Sequence, residues 1–198
     1  MRIVSLEPFL TDILVHFGQE KSLVAVSHRC QGSEAVSALP KITRPRGGGR
    51  AGAGNSLLER SLCSTWLDQA ALQRVNPDVI LTCLPGDEEL WPSLLANLEE
   101  DLRGLLGKEA RIFSYAPRTL EAVFRMYEEV GKDVGAPAAG IDLAHRQKAQ
   151  FMDWCDNFYD RTRNKKVTLI SGLNPFKLGG YWVPDLIRMA SAQSQAAG

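Results

Sequence analysis

The sequence predicts an α/β protein: a parallel-sheet lobe, a long bridging helix and an incomplete second α/β lobe. Three observations carry this. Short apolar runs alternate with stretches of helical periodicity over residues 1–116, the pattern of strand–helix–strand units in a parallel sheet. A long polar stretch then runs from about Ala138 to about Tyr159 without a proline. One last apolar run, Val167 to Ile170, leads to a short helix near Pro184, and a single βα unit cannot bury its own apolar face.

Ile3 to Leu6 is the first predicted strand. Pro8 opens a helix, where its missing N–H costs nothing, and Ile13, Leu14 and Phe17 recur at helical spacing before a stop at Gly18. Leu23 to Val26 is the second strand. Residues 31–56 read as a long irregular loop around the glycine-rich stretch Gly47 to Gly54. A helix around Leu67 to Val75, a turn at Asn76-Pro77-Asp78 and a third strand, Val79 to Thr82, follow. Leucines at 90, 94, 95, 98, 102, 105 and 106 mark one helix face ending at Gly107. Arg111 to Tyr115 is the fourth strand. Leu120, Val123, Phe124, Tyr127 and Val130 share a face of the next helix. Pro137 separates it from the bridging helix, since proline does not sit inside a helix. Residues 1–116 thus form an N-terminal α/β lobe, residues 117–164 a helical connection, and residues 165–198 the start of a C-terminal α/β lobe. Ser191 to Gly198 should fray.

Composition narrows the function classes. The chain has 198 residues, 23 Lys+Arg and 23 Asp+Glu, so there is no electrostatic reason to expect nucleic acid as a partner. No run of about 18 apolar residues is present, so no membrane-spanning helix is expected. The N-terminal apolar run is too short for a signal peptide. A cytoplasmic chain is therefore expected, or a periplasmic one if it is a processed or trimmed form. Cys30, Cys63, Cys83 and Cys155 have no C-x-x-C spacing and no disulfide framework.

Gly47, Gly49 and Gly52 match G-x-G-x-x-G, but Thr43-Arg44-Pro45-Arg46 before them is no strand, so a loop that binds no phosphate is expected. No G-x-S-x-G elbow is present. His16 on the first helix and His145 on the bridging helix read as structural or solvated. His28 follows the second strand directly. In open parallel sheets, ligands bind outside the carboxyl ends of the strands. That rule selects Glu7, His28 with its neighbour Arg29, Cys83 and Tyr115. A metal site at His28 and Cys30 needs further ligands, and Cys83 is one only if its strand lies beside the second strand. After the last run come Asn174, Phe176, Tyr181 and Trp182. They suit a flat, largely apolar ligand, or Tyr181 and Trp182 pack the last helix onto the body.

Arg2-Ile3-Val4-Ser5-Leu6-Glu7-Pro8 with Thr11-Asp12-Ile13-Leu14, Leu23-Val24-Ala25-Val26-Ser27-His28-Arg29-Cys30, Asn76-Pro77-Asp78-Val79-Ile80-Leu81-Thr82 and Tyr181-Trp182-Val183-Pro184-Asp185-Leu186-Ile187 occur in order. Together they resemble the cobalamin and iron-chelate binding proteins of ABC importers, the class III family with a helical backbone. The resemblance implies two α/β lobes joined by one long helix, with ligand between the lobes. It implies a chain ending early in the second lobe. It also implies a non-enzymatic protein that binds cobalamin, haem or a ferric chelate, with no covalent cofactor. Glu7, His28 and Arg29 would be its polar contacts, and Tyr115, Phe176, Tyr181 and Trp182 its apolar walls. An ABC permease and a homodimer are the partners it allows. Two features differ from the family pattern: Gln31-Gly32-Ser33 replaces an Asp-Tyr-Pro, and Cys83-Leu84-Pro85-Gly86-Asp87 lacks further cysteines. The alternatives are an α/β enzyme using a metal or nucleotide, and a truncated relative with no ligand of its own.

Overall fold

The computed structural model describes residues 1–45, 66–83, 91–163 and 165–194. The glycine-rich stretch with its G-x-G-x-x-G match, and Cys63, lie outside them. The chain divides into two units, Met1–Ala116 and Pro117–Gly198.

The first unit is built on four parallel strands: β1 (Ile3–Ser5), β2 (Leu23–Val26), β5 (Val79–Thr82) and β6 (Arg111–Ser114), in the order β2-β1-β5-β6. These are the four strands expected. Register puts Val4 opposite Ala25 and Ile80, and Ile80 opposite Ile112, so all four side chains share one face. That face packs in one core with Leu72 of α3 (Gln69–Val75) and with Leu98 and Leu102 of α4 (Trp91–Leu106). Ser5 points to the other face and meets Thr11 of α1 (Pro8–His16), Oγ to Oγ1, at 2.8 Å. Both faces are therefore covered, which explains strands that are apolar without alternation.

Both sheet edges are blunted. Along β6, Arg111 and Tyr115 donate their N–H groups inward to Asp78 and Thr82, so the N–H of Ile112 points outward. Glu99 of α4 accepts it at 2.9 Å. Along β2, Val26 donates to the Pro40 carbonyl and accepts from the Ile42 N–H, which lays residues 40–42 against the edge. The stretch expected as irregular loop therefore carries ordered structure. It contains α2 (Glu34–Ser37), capped by Ser33, and β3 (Thr43–Arg44), which pairs antiparallel with β4 (Trp66–Leu67). Leu67 is thus a strand residue, and the helix expected from Leu67 begins at Gln69, after the Asp68 cap.

In the second unit, α5 (Leu120–Asp133) and α6 (Pro137–Thr162) form an αα-hairpin. Thr119 caps α5 by accepting the Ala122 N–H, and Pro137 occupies the first turn of α6. Lys148 reaches Glu121 at 3.8 Å and the rings of Phe124 and Phe151 meet at 5.9 Å, the pairing of antiparallel helices. α6 is the long helix expected, with 26 residues and a length of about 39 Å. The last strand differs from expectation. The run Val167 to Ile170 is split between β7 (Lys166–Val167) and β8 (Ile170–Leu173), which belong to different two-stranded sheets. β7 pairs in parallel with β10 (Gln193–Ser194), and β8 pairs antiparallel with β9 (Phe176–Leu178). The stretch between that run and the last helix is therefore largely a hairpin. α7 (Val183–Met189) follows, and its Asp185 accepts the Leu120 N–H at 2.9 Å.

Candidate functional site

Strand order fixes where a ligand can enter the first unit. The chain runs from β1 outward to β2, then returns past β1 to β5 and on to β6. The reversal lies between β1 and β5, and ligands of open α/β sheets bind outside the carboxyl ends at such a point. Glu7 follows β1 there, and His28 and Arg29 follow the neighbouring β2.

Glu7 is 8% exposed. It stands at the N-terminal boundary of α1 but makes no side-chain capping bond. It pairs with Arg29, whose Nη1 donates to Oε2 at 3.4 Å from a half-exposed guanidinium. Burial holds the Glu7 carboxyl above its ordinary range, and the Arg29 charge pulls it back only in part.

His28 is positioned by Thr43. The pairing of residues 40–42 with the β2 edge delivers Thr43 beside the loop after β2. Thr43 Oγ1 accepts the His28 backbone N–H at 2.9 Å and lies 2.8 Å from His28 Nδ1. Thr43 is 2% exposed and His28 half-buried, so the contact is partly shielded from water. Burial and then the Arg29 charge push the imidazole below its ordinary value, so it is neutral at neutral pH. Nδ1 is engaged by the hydroxyl, which leaves Nε2 as the nitrogen for any further contact. Beneath this loop, Thr11 Oγ1 lies 3.1 Å from the buried Cys30 Sγ, and the Arg29 N–H donates to Ser27 Oγ. Lys41 Nζ donates to the Cys30 and Val36 carbonyls, which ties α2 to the same loop.

Arg29 therefore reaches Glu7, and His28 precedes Arg29 in the loop after β2. Tyr115 follows β6 at the same sheet end but is 6% exposed. Cys83 ends β5, and β1 lies between β5 and β2, so the condition for Cys83 to join His28 and Cys30 as a metal ligand is not met. Among the described residues no group of three or more His, Cys, Asp or Glu side chains gathers as a metal site. Phe176, Tyr181 and Trp182 belong to the second unit. Tyr181 and Trp182 stack at a tilt, with centroids 6.1 Å apart, and both are exposed, as is Phe176 on β9. His145 lines a shallow groove between α5 and α6 with Glu121, Glu128 and Lys148. Thr43 was not singled out by sequence. Its signal would have been a threonine after buried Ile42, but its reach to His28 depends on pairing with β2, a contact across fifteen residues.

Solved structures match this architecture. A possible iron-binding periplasmic solute-binding protein from Staphylococcus epidermidis superposes with a TM-score of 0.71 at 16% identity, over 98% of this chain and 66% of that one. The periplasmic vitamin B12 binding protein of Vibrio cholerae gives 0.64 at 19%, over 98% and 65%. A periplasmic heme binding protein from Pseudomonas aeruginosa gives 0.65 at 20%, over 100% and 63%. The chain has their fold. It spans slightly under two thirds of the length of each. No family model and no curated protein matches the sequence. These neighbours are periplasmic binding proteins, so the cytoplasmic expectation finds no support in them. Among the described residues no helix is long and apolar enough to cross a membrane.

Proposed function

We propose that the chain is a non-enzymatic ligand-binding protein of the ABC-importer type, taking cobalamin, haem or a ferric chelate. The observation that carries this is the cluster at the strand ends. A carboxylate that is 8% exposed with one long ion pair, and an imidazole oriented by a buried hydroxyl at the end of the neighbouring strand, are costly to keep unless something polar docks there. Glu7, His28 and Arg29 are the polar contacts. Tyr115 in the first unit contributes at most an edge, and Phe176, Tyr181 and Trp182 within the second unit present exposed rings of the kind a flat apolar ligand stacks on. The one hydroxyl–imidazole pair, Thr43 with His28, has its hydroxyl buried and bonded to the His28 backbone N–H, closed to an incoming substrate, which favours binding over turnover. A permease partner and an extracytoplasmic location belong to the same proposal.

The test is spectroscopic titration of cyanocobalamin, haemin and a ferric siderophore into the purified chain. One of the three is expected to bind saturably with a single site, and His28→Ala and Arg29→Ala each to weaken it at least about tenfold. Absence of saturable binding by all three would reject the proposal. So would release of a chemically altered ligand.

A further inference from the structure

Glu7 and Arg29 meet through one contact and leave most of their hydrogen-bonding capacity unused. A carboxylate accepts at both oxygens, and a guanidinium donates through a planar fork of N–H groups. Closed fork to fork, such a pair makes parallel bonds of about 2.7–2.9 Å. Here the single bond, Nη1 to Oε2, spans 3.4 Å. Among the described residues, Glu7 Oε1 has no donor and the other guanidinium N–H groups have no acceptor.

Neither side chain is spent elsewhere in the fold. Glu7 makes no capping bond to α1, and it is the Arg29 backbone N–H, not the guanidinium, that holds Ser27. The Glu7 side chain is 10% exposed and that of Arg29 46%. The carboxylate has therefore been taken out of water almost completely and given one long bond in exchange. A buried carboxylate in that state is completed by a donor from outside the chain.

We infer that this open pair sets ligand specificity, accepting a primary amide on the rim of the ligand and rejecting a carboxylate there. The inference rests on the ligand-binding reading above and adds the chemistry of the group that docks. An amide carries its acceptor and its donors on separate atoms, so its carbonyl can accept from Arg29 while its NH₂ donates to Glu7 Oε1. A carboxylate can accept from Arg29 but brings no proton for Glu7, and its charge then faces a like charge in a nearly dry setting. An ammonium satisfies Glu7 but meets the guanidinium as a like charge. The pair as a whole is neutral, and the group that satisfies both members is neutral too.

Ligands that share a core and differ at the rim test this. Haemin, with two propionates, is compared with its diamide, and dicyanocobinamide, whose rim is amides, with dicyanocobyrinic acid, whose rim is carboxylates. Spectroscopic titration at about 0.15 M salt screens charge effects reaching beyond about 8 Å. The amide member of whichever core binds is expected to be at least about tenfold tighter. Glu7→Gln removes the charge and keeps an acceptor, and it should shrink that preference to about threefold or less. Circular dichroism verifies that the variant keeps its fold, and the wild-type preference is read without it. Equal binding of amide and acid, a preference for the acid, or a preference that Glu7→Gln leaves intact overturns the inference. So does binding by no member of either pair. A ferric siderophore that still binds in that case leaves the proposed function standing, which separates the two failures.

Discussion

Gly131 on α5 and Gly140 on α6 meet backbone against backbone. A Cβ on Gly140 would lie 2.5 Å from the Tyr127 carbonyl oxygen, and one on Gly131 would lie 2.9 Å from both the Ala136 carbonyl oxygen and the Gly140 Cα. The atoms in the way are backbone, so relief requires the two helices to separate. Gly140→Ala and Gly131→Ala should each destabilise the chain by about 1–3 kcal/mol in denaturant unfolding. Gly104 in α4 is the contrast, because a Cβ there meets nothing within 4 Å. Gly104→Ala should stabilise by about 0.5–1 kcal/mol, the ordinary gain of alanine over glycine inside a helix.

Asp185 joins α7 to the start of α5. The Leu120 N–H, and then Arg188, hold its carboxyl below the ordinary range. A depressed carboxyl contributes stability that is present above its unfolded value and lost as pH falls through the folded one. Asp185→Asn should cost about 1 kcal/mol at neutral pH. The gap to wild type should close as the pH falls below about 4. A gap that persists unchanged in acid would show that charge is not what the Leu120 N–H is reading.

The four parallel strands were legible because each is a short run with an apolar centre, and burial on both faces produces that signal locally. The long helix was legible because Pro137 starts it and no further proline interrupts it. The second unit was misread for a physical reason. Val167 and Ile170 look continuous in apolarity, yet strand membership depends on partners far along the chain, Gln193 for one sheet and Leu178 for the other. The site was half legible. Position after a strand identifies Glu7 and His28, whereas Thr43 acts through a fold-back that no local pattern announces. The exposure of the aromatics was hidden as well. Tyr115 and Tyr181 are the same residue type after comparable strands, and one is buried while the other is open.

Glu7 should trade stability for binding. Its folded value is raised by burial, so the folded state favours the protonated carboxyl. That preference adds stability below the unfolded value of about 4.5 and is lost as pH rises through the folded one. Glu7→Gln keeps the shape without the charge. It should be at least as stable as wild type at pH 7, by up to about 1 kcal/mol, with the difference gone below about pH 4. Affinity for the ligand that titration identifies should fall at least about tenfold. A Gln variant that is clearly less stable at pH 7 would mean the Arg29 ion pair outweighs desolvation.

Thr43 should matter more to the fold than the histidine it holds. Its buried Oγ1 accepts the His28 backbone N–H and bonds the ring, both in a partly buried setting. Thr43→Val keeps the volume but leaves that N–H without its acceptor, at a cost of about 1–3 kcal/mol. His28→Ala keeps its own backbone N–H on Thr43 and removes only a half-buried ring, so it should cost less than about 1 kcal/mol. Thr43→Ser restores the hydroxyl and should recover most of the loss. Chemical denaturation of the three variants orders them. If the ring bond alone mattered, His28→Ala would match Thr43→Val. If neither bond mattered, Thr43→Val would be the mildest change, since valine is the near-isostere.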